Sequence, residues 1–173
     1  DPWYAVPDSP VKVAQTSAAG TGSADFVWAL QAGSTQNATQ YSAGDVVGGL
    51  MTLPVKNEES GRASGYISRV QVVDKDGVGA AGKLYVFSEK PAEIADHAAF
   101  ALEIADWHKL IGDPIAISTY DTIGNFKREQ VKLDAELEYN AADGNLYAYF
   151  VADATPDFTN TDALTFLVHI GVM

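Results

Sequence analysis

Residues 164–172 read LTFLVHIGV, and their spacing decides the fold. Leu164, Phe166, Val168, Ile170 and Val172 recur at every second position, with Thr165, Leu167, His169 and Gly171 between them. A helix would scatter the first set around its circumference, whereas a strand places it on one face, so the spacing predicts a strand with one side in a core. Val131, Leu133, Ala135 and Leu137 alternate in the same way with Gln130, Lys132, Asp134 and Glu136. Tyr66, Ser68, Val70 and Val72 alternate with Ile67, Arg69, Gln71 and Val73. GKLYVF at 82–87 and NLYAYFVA at 145–152 are short and rich in aromatic and β-branched residues, as strands are. Val11–Ala14, Phe26–Leu30, Val46–Leu53 and Pro114–Ser118 complete the set.

Asp-Gly pairs at Asp76-Gly77 and Asp143-Gly144 predict tight hairpin turns. Residues 31–42 and 55–64 are polar and rich in small side chains, and read as exposed loops. The stretch 90–112, KPAEIADHAAFALEIADWHKLIG, departs from the pattern. Its residue types predict one or two short helical turns, with Ala95–Leu102 and the IADWHKLIG end as the candidates. Strands without βαβ alternation predict an all-β, antiparallel β-sandwich or barrel, with a jelly-roll sandwich the expected form. The expected organisation is an extended N-terminal arm over 1–24 and a single sandwich domain over 25–173.

The arm rests on composition. Residues 1–10 hold Pro2, Pro7 and Pro10 together with Trp3, Tyr4 and Val6, and 16–23 are small and polar. Such a segment buries little against itself. Trp3, Tyr4 and Val6 are therefore candidate apolar anchors for a neighbouring subunit. A frayed end, or a strand laid along the same domain, is the other reading of this segment.

The totals narrow the partners. The 173-residue chain carries 23 acidic against 11 basic side chains, a net charge of −12, and no cysteine. That charge argues against a nucleic-acid backbone or an anionic membrane as partner, and favours docking on a basic patch. No apolar run approaches the roughly 20 residues of a spanning helix. Without cysteine there is no disulfide framework, thiolate metal site or cysteine nucleophile.

Candidate chemistry gives way to structural readings. YSAGDVVGGLMTLP at 41–54 has the glycines of a phosphate loop, but they feed a strand-like run and no Lys follows until Lys56. Gly44-Asp45 reads as a turn, and Gly48-Gly49 as a place where another chain segment comes close. His97, His108 and His169 lack metal-ligand spacing. Asp96-His97 and Asp106 with His108 read as surface pairs or caps. Asp74-Lys75-Asp76-Gly77 lacks the twelve-residue calcium loop. No G-x-S-x-G elbow marks a serine hydrolase. No cofactor is expected. Three tryptophans and eight tyrosines leave an aromatic sugar platform open as an alternative.

The order of landmarks resembles a family of small virion proteins of tailed bacteriophages. They are Tyr41–Gly48 (YSAGDVVG), Gly65–Val70, Tyr85-Val86-Phe87, Pro91–Phe100 (PAEIADHAAF), Ala105–Gly112 (ADWHKLIG) and Leu146–Val151. The resemblance spans roughly 41–173. His97 stands where the family pattern more often has Asn. The resemblance implies a non-enzymatic capsid decoration or cement protein with a jelly-roll-like sandwich, on the outside of a phage head. Its partners would be the major capsid protein and copies of itself, as a dimer or trimer, with Trp3, Tyr4 and Val6 as contacts. The alternative is a carbohydrate- or receptor-binding module of a virion tail or fibre.

Overall fold

A computed structural model describes residues 12–17, 24–31, 39–56, 61 and 63–172, with side chains described from 39 onward up to 171. Among them are strands β1 (Lys12–Ser17), β2 (Ala24–Gln31), β3 (Val46–Pro54), β4 (Ser64–Asp74) and β5 (Gly82–Phe87). β6 (Ile115–Ile117), β7 (Asp121–Ile123), β8 (Phe126–Asn140), β9 (Asn145–Ala152) and β10 (Leu164–Val172) follow. One sheet runs β1-β2-β10-β4-β8-β7 and the other β3-β9-β5-β6, with antiparallel pairings throughout. With β1 and β7 set aside as margins, four strands face four. Among those eight, successive strands change sheet at every step except β5 to β6. That is jelly-roll connectivity, and the all-β sandwich expectation holds.

β1 falls inside the span read as an arm. Its residues pair along β2, with Gln15 opposite Phe26. Trp3, Tyr4 and Val6 lie outside the described residues.

The sandwich core forms between the sheets. Phe150 of β9 and Phe166 of β10 meet across it with ring centroids 5.3 Å apart. Leu164, Phe166, Val168 and Ile170 all point into it, as their spacing predicts. Tyr41 and Phe158 close one end, edge to face at 6.0 Å.

Bulges break the alternation elsewhere. Between β4 and β10, His169 opposes Arg69 but Ile170 opposes Ile67, which leaves Ser68 as an extra residue. One extra residue reverses which side faces inward. Ile67 therefore joins Val70 and Val72 in the core, while Tyr66 and Ser68 turn outward, against the simple alternation. In β8 the partners step from Leu137 to Lys132 while β4 steps only from Ile67 to Arg69. Ala135, expected inward, lies exposed within that bulge.

Both Asp-Gly pairs turn out to be corners between sheets and not hairpins. Asp76-Gly77 leads from β4 to β5, and Asp143-Gly144 from β8 to β9. Their carboxylates explain the choice. Buried Asp74 accepts bonds from the Asp76 and Gly79 N–H groups at 3.0 and 2.6 Å. Asp76 accepts from Thr159 and Asn160 N–H at 2.7 and 2.9 Å, which ties this corner to the β9–β10 connection. The two-residue hairpin is Gly124-Asn125 between β7 and β8, with Gly124 at φ 61°.

β3 carries a bulge of another size. Val47 opposes Phe150 and Met51 opposes Ala148, so β3 takes four steps where β9 takes two. An even insertion preserves facing. Val47 and Met51 stay in the sandwich core, and Val46 and Leu50 stay on the outer side. Gly48 and Gly49 absorb the kink at φ 83° and 70°. A side chain at such angles is strained by roughly 1–2 kcal/mol. Gly48→Ala should lower unfolding free energy by about that amount in denaturant titrations, with the slope of the titration unchanged.

Candidate binding surface

β9 has no solvent side. Leu146, Ala148, Phe150 and Ala152 face the sandwich core, while Tyr147, Tyr149 and Val151 face outward, and all are buried. The outward set packs with Val46 and Phe87 into a second core. The connection between β5 and β6 covers it, contributing Ile94, Phe100, Leu102 and Leu110. Phe100 lies 4.5 Å from Tyr85 and 5.7 Å from Tyr149, centroid to centroid. This is the stretch whose residue types predict helical turns. Ala95–Leu102 is extended or turn, and only Ile104–Lys109 forms a 3-10 helix.

The cover is bonded to the sheet along its length. The Tyr149 hydroxyl donates to Ala92 O at 2.7 Å and accepts from Ile94 N–H at 2.9 Å. Burial pushes that hydroxyl above its ordinary pKa. Further on, Ile111 N–H donates to Val86 O at 2.8 Å and Ser88 N–H to Lys109 O at 2.9 Å.

One carboxylate joins the two motifs singled out from the sequence. Asp96 Oδ1 accepts from Gly48 N–H at 2.7 Å and from the Tyr41 hydroxyl at 2.8 Å. The β3 bulge turns the Gly48 N–H to Asp96. Backbone bonds complete the seam, with Val46 N–H to Ala98 O at 2.9 Å, His97 N–H to Val46 O at 3.0 Å and Phe100 N–H to Gly44 O at 2.8 Å. Asp45 serves its own turn, accepting from Ser42 N–H at 2.8 Å. The glycines of 41–54 are thus structural.

His97 sits at φ 66°. His, like Asn and Asp, enters this left-handed region more readily than most side chains. Here the imidazole stacks on Tyr41 at 3.7 Å, its Nε2 lies 3.0 Å from Thr39 O and its Nδ1 3.2 Å from Asp96 Oδ2. Asp96 and His97 therefore act as a structural pair. His108, by contrast, is exposed. Among the described residues no three His, Cys, Asp or Glu side chains cluster as metal ligands.

The 3-10 helix raises two apolar side chains off the cover. Ile104 is 84% exposed and Trp107 65%. Three residues apart, they share one side of a three-residue turn. Beneath them Asp106 is buried. Its Oδ2 accepts from Ala92 N–H at 2.8 Å, and its Oδ1 pairs with Lys109 Nζ at 2.6 Å. Lys109 also donates to Lys90 O at 3.0 Å. The turn is clamped from below while its apolar tip faces water. In the sequence the available signal for this exposed pair is the i, i+3 spacing of Ile104 and Trp107 outside any strand period.

Asp96→Ala leaves the Gly48 N–H and the Tyr41 hydroxyl without this acceptor. It should cost about 3 kcal/mol in chemical denaturation, since bonds to charged groups contribute roughly 1.5–3 kcal/mol each. The Ala92 N–H bond and then Lys109 hold the Asp106 carboxyl below its ordinary range. A carboxyl depressed on folding stabilises above its unfolded pKa of about 4, and the contribution fades as pH falls through the folded value. The stability gap between the wild type and Asp106→Asn should therefore be largest near neutrality and close toward pH 2, measured by denaturation at each pH. Searches against family models, curated proteins and solved structures find no match for this chain.

Proposed function

We propose that this chain is a non-enzymatic structural protein of a phage virion, a decoration protein bound to the outside of the head. The observation that carries the reading is the way the resembling motifs fit one another. YSAGDVVG and PAEIADHAAF interlock through Asp96, and ADWHKLIG forms the turn that presents Trp107 beside Ile104. Landmarks about 50 residues apart in sequence thus serve one covered sheet. The jelly-roll connectivity agrees with the expected sandwich, although a fold alone does not set a function.

The mechanism is mass action. A protein that binds the assembled lattice and not free subunits stabilises the lattice by RT ln(1 + [L]/Kd) per site, and repetition around a shell adds avidity. Ile104 and Trp107 join Trp3, Tyr4 and Val6 as the apolar anchors for the major capsid protein. The net charge of −12 directs the protein to a basic patch on that partner. Self-association as a dimer or trimer would multiply the anchors. Neither nucleic acid nor membrane is a partner in this reading.

Co-sedimentation with undecorated heads tests it. The full chain should saturate at a fixed, lattice-compatible ratio to the major capsid protein. Trp107→Ala should weaken binding by about tenfold or more, as loss of an exposed aromatic hot spot does, and deletion of residues 1–10 should weaken it as well. A well-folded chain that does not sediment with heads would overturn the reading and put the receptor- or carbohydrate-binding module first.

A further inference from the structure

The outer face of the six-stranded sheet carries a groove of about 360 Å³ centred on the β4 bulge. Tyr66, Ser68, Arg69, Lys132, Glu136 and His169 line it. The bulge places two consecutive side chains, Ser68 and Arg69, on the same outer face, where regular pairing would separate them. The β8 bulge beside it leaves Lys132 and Glu136 both lining the groove. Bulges gather near functional sites because they re-aim side chains, and here two adjoin one groove.

Its chemistry runs against the rest of the chain. The net charge is −12, yet the groove's charged lining is Arg69 and Lys132 against Glu136 alone. Arg69 is held in place, since its Nη2 donates to His169 Nδ1 at 3.1 Å. Tyr66 supplies an aromatic wall. A Cβ at Gly171 would meet the Tyr66 ring at 2.2 Å, so the ring lies directly across the β10 backbone, where only glycine leaves room. Gln130 adds an amide. A fixed guanidinium and an ammonium suit an oxyanion. Glu136 and Gln130 offer acceptors for hydroxyls, and the ring face suits a C–H surface. The volume lies within the range of small-ligand pockets.

We propose that this groove binds an acidic saccharide, with the sugar's carboxylate on Arg69 and Lys132, its hydroxyls on Glu136 and Gln130, and its ring against Tyr66. The site lies on the opposite sheet from the Trp107 turn and does not depend on the capsid reading.

Titration calorimetry on the isolated full chain at low ionic strength tests the site with glucuronate, N-acetylneuraminate, glucose and inorganic phosphate as probes. At least one sugar acid should bind, glucose at least tenfold more weakly. Arg69→Gln and Lys132→Gln should each weaken that binding tenfold or more. Lys132 is exposed, so its variant keeps the test valid even where Arg69→Gln does not fold. No sugar acid binding, phosphate binding as tightly as the sugar acids, or binding unchanged in Lys132→Gln would each overturn the proposal.

Discussion

The outer face of the β3-β9-β5-β6 sheet is too apolar to be left in water. Val46, Phe87, Tyr147, Tyr149 and Val151 are all buried there. Exposing five such side chains would cost on the order of 10 kcal/mol, comparable to the whole stability of a domain this size. The long β5–β6 connection, which stays within one sheet while the other steps among the eight central strands cross between sheets, is the piece of chain placed to cover that face. Its route then fixes much else. It must meet β3 at Val46, which sets the seam at Asp45 and Ala99. It must rejoin the sheet at Leu110, which bridges Phe87.

A cover of this kind needs its polar backbone satisfied where it leaves water. Asp106 and the Tyr149 hydroxyl meet that need within the segment, and Asp96 of the segment does the same for the Gly48 N–H of β3. Gly48 and Gly49 belong to the same solution. Their bulge turns an N–H out of the β3 ladder toward Asp96, while the two-residue insertion keeps Val47 and Met51 facing the core. A single-residue bulge at that place would have sent Met51 to the wrong side.

Alternation made the strands legible, and β10 reads from sequence as it folds. It failed where bulges change parity. Nothing in YISRVQV distinguishes Ser68 as the extra residue, because that role is set by β8 and β10 on either side. The Asp-Gly pairs make turns as their sequence predicts but join different sheets, since a local turn signal does not say which sheet comes next. The cover misled for a different reason. Its apolar residues pack onto a sheet face and pair with it only at isolated bridges, so they follow neither strand nor helix spacing. Asp96 and His97 were legible as a pair, but their partners Tyr41 and Gly48 lie about 50 residues away in sequence.

The two candidate contact regions inherit their positions from this architecture. Ile104 and Trp107 ride on the cover, outside one sheet, and the Arg69 groove lies on the outer face of the other. The Asp106 clamp limits the freedom that the turn loses on docking, which is where a preorganised anchor gains affinity. His169 does the same for Arg69. Because the sandwich core separates the two regions, a chain docked through Trp107 keeps the groove turned away from that surface. Attachment on one face and recognition of a second ligand on the other are then sterically compatible, without any movement of the sandwich.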